Sequence, residues 1–154
     1  MPVWTPSPGI AVKVIGLAWR GEELLVAEVE ESAGRVKGVR PLGGGIEFGE
    51  TREQALRREF VEELRCEIAV SGPWHGFENI YEHGGKTGHE FIFAANVRLG
   101  DADIYRRDRF HYLEHEGTRC CAVWLAPLSL PRGVDLYPAG LARAIELGDI
   151  APPA

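Results

Sequence analysis

The chain has 154 residues and a formal charge of −6, from 17 Lys and Arg against 23 Asp and Glu. Its length and a hydrophobic share of 45% fit one domain, residues 1–154, with a packed core, and exclude a disordered or fibrous chain. The acidic balance argues against a general binder of nucleic-acid polymers or membrane surfaces, because polyanion binding rests on cationic patches.

Residues 1–8, with three Pro, read as an extended lead-in. They lack the basic region and apolar run of a signal peptide, and no stretch approaches the roughly 18 apolar residues of a spanning helix, so a cytoplasmic location is expected. Ile10 to Trp19 is an apolar, β-branched run that predicts a buried strand. Gly21 and Glu22 make a turn into a second strand, Leu24 to Val29. Glu30 to Gly34 reads as a polar loop and Val36 to Arg40 as a short third strand. Pro41 to Gly49, with four glycines, predicts a loop.

Thr51 with Gln54 three residues on fits a capping box, and Arg52 to Arg65 holds no Gly or Pro, so a helix is expected there. Ile68 to Val70 and Trp74 to Tyr81 look extended, broken by Gly72 and Pro73. Residues 82–88 read as a loop, Glu90 to Val97 as a strong strand, and residues 100–118 as a polar, weakly ordered segment. Cys120 to Leu125 is a further strand, and Leu141 to Leu147 a short final helix. Strands, a helix, more strands and a terminal helix predict a mixed sheet with helices packed on it. The three cysteines, two of them adjacent, make a poor disulfide framework and suit reduced thiols.

The chemistry concentrates in Gly43-Gly44-Gly45-Ile46-Glu47-Phe48-Gly49-Glu50 and the helix after it. Glu59, Glu62 and Glu63 are spaced i, i+3 and i+4, which puts three carboxylates within a roughly 100° arc of one helical face. Such groups repel one another unless a cation lies between them, and oxygen-only ligands suit Mg2+ or Mn2+. A solvated acidic face is the plainer reading of E-x-x-E-E alone. The glycines shift the balance, because a loop without side-chain bulk lets a carbonyl and a phosphate approach the helix N-terminus together. Arg35, Lys37 and Arg40 flank that loop, and Arg106, Arg107 and Arg109 form a second basic cluster that could clamp terminal phosphates. Trp74, Phe77, Tyr81 and Phe91 could stack a base or simply fill the core.

The segment resembles the Nudix box, G-x5-E-x7-R-E-U-x-E-E-x-G-U, where U is a bulky aliphatic residue. Gly44 opens it, Glu50 follows after five residues, and Arg58-Glu59 after seven more; Phe60, Val61, Glu62, Glu63 and Leu64 complete the run. Two positions depart. Arg65 stands where the family has Gly, implying a different helix exit, and Cys66 stands where it has an aliphatic.

The resemblance implies a Nudix-like α/β/α sandwich with a mixed sheet, the box loop and helix, and a short C-terminal helix. It implies hydrolysis of a nucleoside diphosphate linked to another moiety, with Mg2+ or Mn2+ as cofactor. Glu59, Glu62 and Glu63 match the metal-binding glutamates, and Gly43 matches a glycine whose carbonyl joins them. Glu50 and Arg58 match a salt bridge that supports the loop, behind Gly44. Glu59 and Glu63 are candidate catalytic groups. A further glutamate from a later loop is expected, with Glu114 and Glu116 the candidates and Glu116 carried forward; Glu90 is a third, although it could simply face solvent at a strand start. The expected partner is a small nucleotide-type substrate, without membrane or nucleic-acid polymer and with a homodimer allowed. The alternative is a non-catalytic module that senses a nucleotide.

Overall fold

A computed structural model describes residues 4–31 and 34–154. Residues 1–3 of the expected lead-in and 32–33 of the expected polar loop lie outside the described residues. In chain order the elements are β1 (Ile10–Arg20), β2 (Glu23–Glu30), β3 (Val36–Gly45), α1 (Arg52–Leu64), β4 (Ile68–His83) and β5 (Lys86–Leu99). A 3₁₀ turn (Ile104–Arg106), β6 (Arg109–Leu113), β7 (Arg119–Leu125), β8 (Asp135–Leu136) and α2 (Leu141–Glu146) follow. The strands run in the order β4-β5-β1-β3-β2-β7-β6, with β8 beside β3. β1 lies parallel to β5 and antiparallel to β3, so the sheet is mixed.

Alternation along β1 assigns its two faces, because successive side chains of a strand point opposite ways. Val14 and Ala18 join Ala55, Leu56 and Phe60 of α1 in one core cluster. Ile15 and Leu17 join Leu141 of α2 in the other. One helix therefore covers each face, which makes the expected α/β/α sandwich. Phe60 is seated where β1 carries Gly16; a Cβ there would stand 2.7 Å from the ring. Burial of that ring stabilises the helix-sheet contact by roughly 2–3 kcal/mol. Among the described residues no helix is long and apolar enough to cross a membrane, and the three cysteines are unpaired.

The loop expected over 82–88 is only the two-residue turn Gly84-Gly85 between paired strands, and four further local expectations need correction. Pro41 to Gly45 is not loop but the second half of β3, with Gly43, Gly44 and Gly45 opposite Ile15, Val14 and Lys13 of β1. The glycines are there for close approach: a Cβ on Gly43 would run into the Val14 carbonyl, and one on Gly44 into the Glu59 carboxylate. Residues 68–83 form one strand whose register slips between Ser71 and His75, so Gly72 and Pro73 mark an irregularity rather than a break. Residues 100–118 contain β6, whose Phe110 and Tyr112 alternate with exposed neighbours; pairing with β7 supplies the order that the polar composition hides.

The fourth correction concerns the end of α1. Its start is as expected, with Thr51 and Gln54 each bonding the other's backbone N–H. Its exit is the left-handed turn a glycine would make, although the residue is Arg65, at φ 53° and ψ 37°. The Arg65 N–H bonds to the Val61 carbonyl at 3.0 Å, which satisfies one of the helix's terminal acceptors. A side chain at this φ carries a steric cost that glycine lacks. Arg65→Gly should therefore raise stability by roughly 0.5–1 kcal/mol, read as a higher urea midpoint at unchanged slope. An unchanged or lower midpoint would show that the Arg65 backbone carries no strain.

Candidate metal centre

Antiparallel β3 and β1 bring Gly43 and Gly44 beneath α1, and the bare Cα of Gly44 lets the Glu59 carboxylate lie against the strand. The helix is held there by Arg58. Its Nε and Nη2 donate to the two carboxylate oxygens of Glu50, at 2.7 and 2.8 Å, and Nη2 also donates to the Gly45 carbonyl at 2.9 Å. Its Nη1 donates to Glu59 at 3.0 Å and to Glu62 at 3.3 Å. One guanidinium thus joins the loop, the end of β3 and two box carboxylates.

Those bonds hold the Glu50 carboxyl down at about 2, with the Arg58 hydrogen bond the main cause and the Glu47 N–H the next. A carboxylate with a depressed pKa adds stability above its ordinary pKa that is lost as pH falls through the depressed value. Glu50→Gln should lower the melting temperature at neutral pH, and the gap to the wild type should close as pH approaches 2. Metal affinity should be largely kept, since Glu50 faces Arg58. A Glu50→Gln protein that lost metal affinity as severely as Glu63→Gln would make Glu50 a ligand instead.

Glu63 lies in a different environment. Burial pushes its carboxyl up to about 8, and the charges of Glu59 and Glu114 push the same way, against the opposing pull of Arg40. Glu114 is therefore the carboxylate that the β6–β7 turn brings to the box, at the end of β6 and bonded to Arg40 of β3 at 2.7 Å. Glu116 is exposed in the turn beyond and takes no part in that cluster. Glu90 does not face solvent. It is buried and receives Lys13 at 2.7 Å, with the Tyr81 hydroxyl and the Asn79 amide donating to it at 3.3 and 3.4 Å. β5 presents Glu90 on the face that carries α2, so it lies apart from the box carboxylates.

The oxygen donors suit a hard divalent cation. Glu63, half-buried and facing the negative charges of Glu59 and Glu114, is the group such a cation would relieve. The cage is not preformed: among the described residues no three His, Cys, Asp or Glu side chains already converge as a metal site. Arg58 meanwhile engages Glu59 and Glu62.

Of the other candidates, Phe77 packs in the core beside α2, and Trp74 stacks under Arg52 at 4.7 Å. Phe91 is partly exposed, while burial and Glu90 push the Tyr81 hydroxyl up to about 12. Arg107 and Arg109 of the second basic cluster pair with Asp103 and Glu28, each at 2.7 Å. The sequence reading missed Tyr112 and the Arg40–Glu114 pair. The signal was the alternation Arg109-Phe110-His111-Tyr112-Leu113, which predicts a strand with Tyr112 and, two residues on, Glu114 on one side.

Residues 8–135 match the NUDIX domain family. The NAD-capped RNA hydrolase NudC of Pectobacterium carotovorum subsp. carotovorum (strain PC1) is 34% identical over 122 residues, 72% of this chain and 44% of that protein. NudC of Yersinia pestis (strain Pestoides F) is 40% identical over 72 residues, 44% of this chain and 27% of that protein. The chain thus spans less than half the length of these relatives. Among solved structures, the E. coli ORF135 protein aligns over 94% of both chains at 26% identity and a TM-score of 0.55. A MutT NUDIX hydrolase from Burkholderia pseudomallei shares the fold at a TM-score of 0.55 and 18% identity, over 93% of this chain and 99% of that one. With every charged position of the box in place on the loop and helix that the fold requires, the chain belongs to the NUDIX domain family.

Proposed function

We propose that the chain is a divalent-metal-dependent hydrolase of the phosphoanhydride bond in a nucleoside diphosphate linked to another moiety. The observation that carries this reading is the half-buried Glu63 carboxyl beside the charges of Glu59 and Glu114, with Glu59 lying against Gly44 of β3, a group of oxygen donors that a divalent cation would neutralise. Glu59, Glu62, Glu63 and the Gly43 carbonyl would hold Mg2+ or Mn2+. When bound, the metal neutralises the pyrophosphate charge and makes a nearby water more acidic.

The chain's own residues supply the rest. Arg58 fixes the helix to the loop, and the bare Gly44 seats Glu59. Glu59 and Glu114 are the carboxylates within reach of the cluster that could take a proton from the attacking water. The sensing alternative is weakened by the intact set of charged box residues. The named activity of the NudC relatives supports including dinucleotides among the substrates.

The test is a screen of nucleoside triphosphates, nucleotide sugars, dinucleoside polyphosphates, ADP-ribose, NAD and NAD-capped RNA with Mg2+ or Mn2+. Phosphate release is read with and without added phosphatase. For substrates without a terminal phosphate, release only after phosphatase treatment marks cleavage within the linked diphosphate. Tight nucleotide binding with no cleavage anywhere in the screen would establish the sensor instead.

A further inference from the structure

We propose that Arg40 and Tyr112 form the phosphate-recognition pair of this site, with Arg40 exchanging Glu114 for a substrate phosphate oxygen. This rests on the hydrolase reading above and adds residues that lie outside the box.

Two independent observations support it. The first is the state of the guanidinium. Arg58 has its donors committed to Glu50, Glu59, Glu62 and Gly45, and Lys13 is committed to Glu90. Arg40 makes one side-chain bond, from Nη2 to Glu114 at 2.7 Å, and the rest of its fork has no partner among the described residues. An Arg fork matches two phosphate oxygens at once, which a single carboxylate bond does not use. Its side chain is 38% exposed, so a ligand can reach it. The second is Tyr112. The residue is 7% exposed, yet its hydroxyl has no hydrogen-bond partner among the described residues. A buried polar group left unpaired costs free energy, and native structures seldom leave one without a purpose. Tyr112 projects from β6 on the same side as Glu114 two residues on, and its hydroxyl feels the charges of Arg40, Glu63 and Glu114. Burial pushes its pKa up, so it remains a hydrogen-bond donor.

The donor fork and the donor hydroxyl are under-used beside this carboxylate cluster, because among the described residues Arg40 has one acceptor and Tyr112 none. A phosphate brought in alongside a divalent cation is such an acceptor. Transfer of Arg40 to it leaves the Glu114 carboxylate unpaired and able to accept a proton, so substrate arrival and release of that carboxylate become one event. The Cys120 thiol opposite Tyr112, pushed up to about 12 chiefly by burial, adds no negative charge to oppose an anion.

The exchange predicts opposite effects on two ligands, which a purely structural role would not produce. Arg40→Gln removes a positive charge from beside Glu63 and Glu114. At pH 8.5 the variant should bind Mn2+ alone several-fold more tightly than the wild type. At saturating Mn2+ it should bind inorganic pyrophosphate at least tenfold more weakly. Tyr112→Phe should weaken pyrophosphate about three- to tenfold and leave Mn2+ affinity unchanged. Both are read by isothermal titration, with far-UV circular dichroism as the check on folding. Should Arg40→Gln fail to fold, Arg40→Lys keeps the charge without the fork; it should match the wild type for Mn2+ and lose part of the pyrophosphate affinity. Parallel changes for both ligands, or unchanged pyrophosphate affinity in Arg40→Gln or, in its place, Arg40→Lys, would overturn the proposal. The substrate screen on the wild type judges the hydrolase reading separately, because pyrophosphate binding does not require turnover.

Discussion

Glu63→Gln should lower kcat by two to four orders of magnitude at saturating metal while leaving the fold and nucleotide binding in place. Without metal the Glu63 carboxyl, raised to about 8 chiefly by burial, is mostly protonated at neutral pH. Gln copies that neutral form in shape and charge, so the metal-free protein should melt within a few degrees of the wild type. With metal present the two differ, because Glu63 can ionise as a ligand and Gln cannot. Each tenfold in rate is about 1.4 kcal/mol of transition-state stabilisation, so the expected loss is roughly 3–6 kcal/mol. That is in proportion to a charge lost from a site that positions a metal against a pyrophosphate. Paired titrations and rate measurements over a range of metal concentration separate weak metal binding from slow chemistry. A kcat within a few-fold of wild type would remove Glu63 from the catalytic set.

Metal affinity should climb with pH, by roughly fifty-fold between pH 6 and 8, and then level off. The sign follows from Glu63. Its folded pKa lies above the ordinary carboxyl value, so between about 4.5 and about 8 the folded, metal-free chain holds a proton that the unfolded chain has lost. The metal-free protein therefore becomes less stable as pH rises through that window. A cation must displace the same proton, and one proton released per metal bound gives close to tenfold in affinity per pH unit until Glu63 ionises unaided. Proton release can be measured by titrating Mn2+ in buffers of different ionisation enthalpy. Glu63→Gln should flatten both the pH dependence and the proton release. A flat wild-type profile from pH 6 to 8 would show that Glu63 is already ionised in the metal-free protein.

The box was legible because its chemistry is local: a helix puts i, i+3 and i+4 together whatever surrounds it, and Glu59, Glu62 and Glu63 needed no tertiary information. The mixed sheet was legible from the order of strands and helices, and β1 from its apolar run, of which Val14 to Ala18 is buried. The Gly43–Gly45 strand was not. Glycines signal a turn by propensity, and their actual role is to admit the Val14 backbone and the Glu59 carboxylate, neither of which is near in sequence. Arg65 was misread because the helix-ending bonds, Arg65 N–H to Val61 and Cys66 N–H to Phe60, accompany a backbone conformation its side chain disfavours. Glu114 and Glu116 could not be separated by sequence, because both lie near a tight turn, and the pairing that sets Glu114 beside Arg40 spans 74 positions.

The most direct test is turnover of the best substrate from the screen, measured before chelation, in excess chelator, and after Mn2+ is restored. Metal-dependent catalysis by the Glu59–Glu63 face predicts activity below detection in chelator and full recovery on restoration, with no recovery in Glu63→Gln. Undiminished turnover in excess chelator would contradict it.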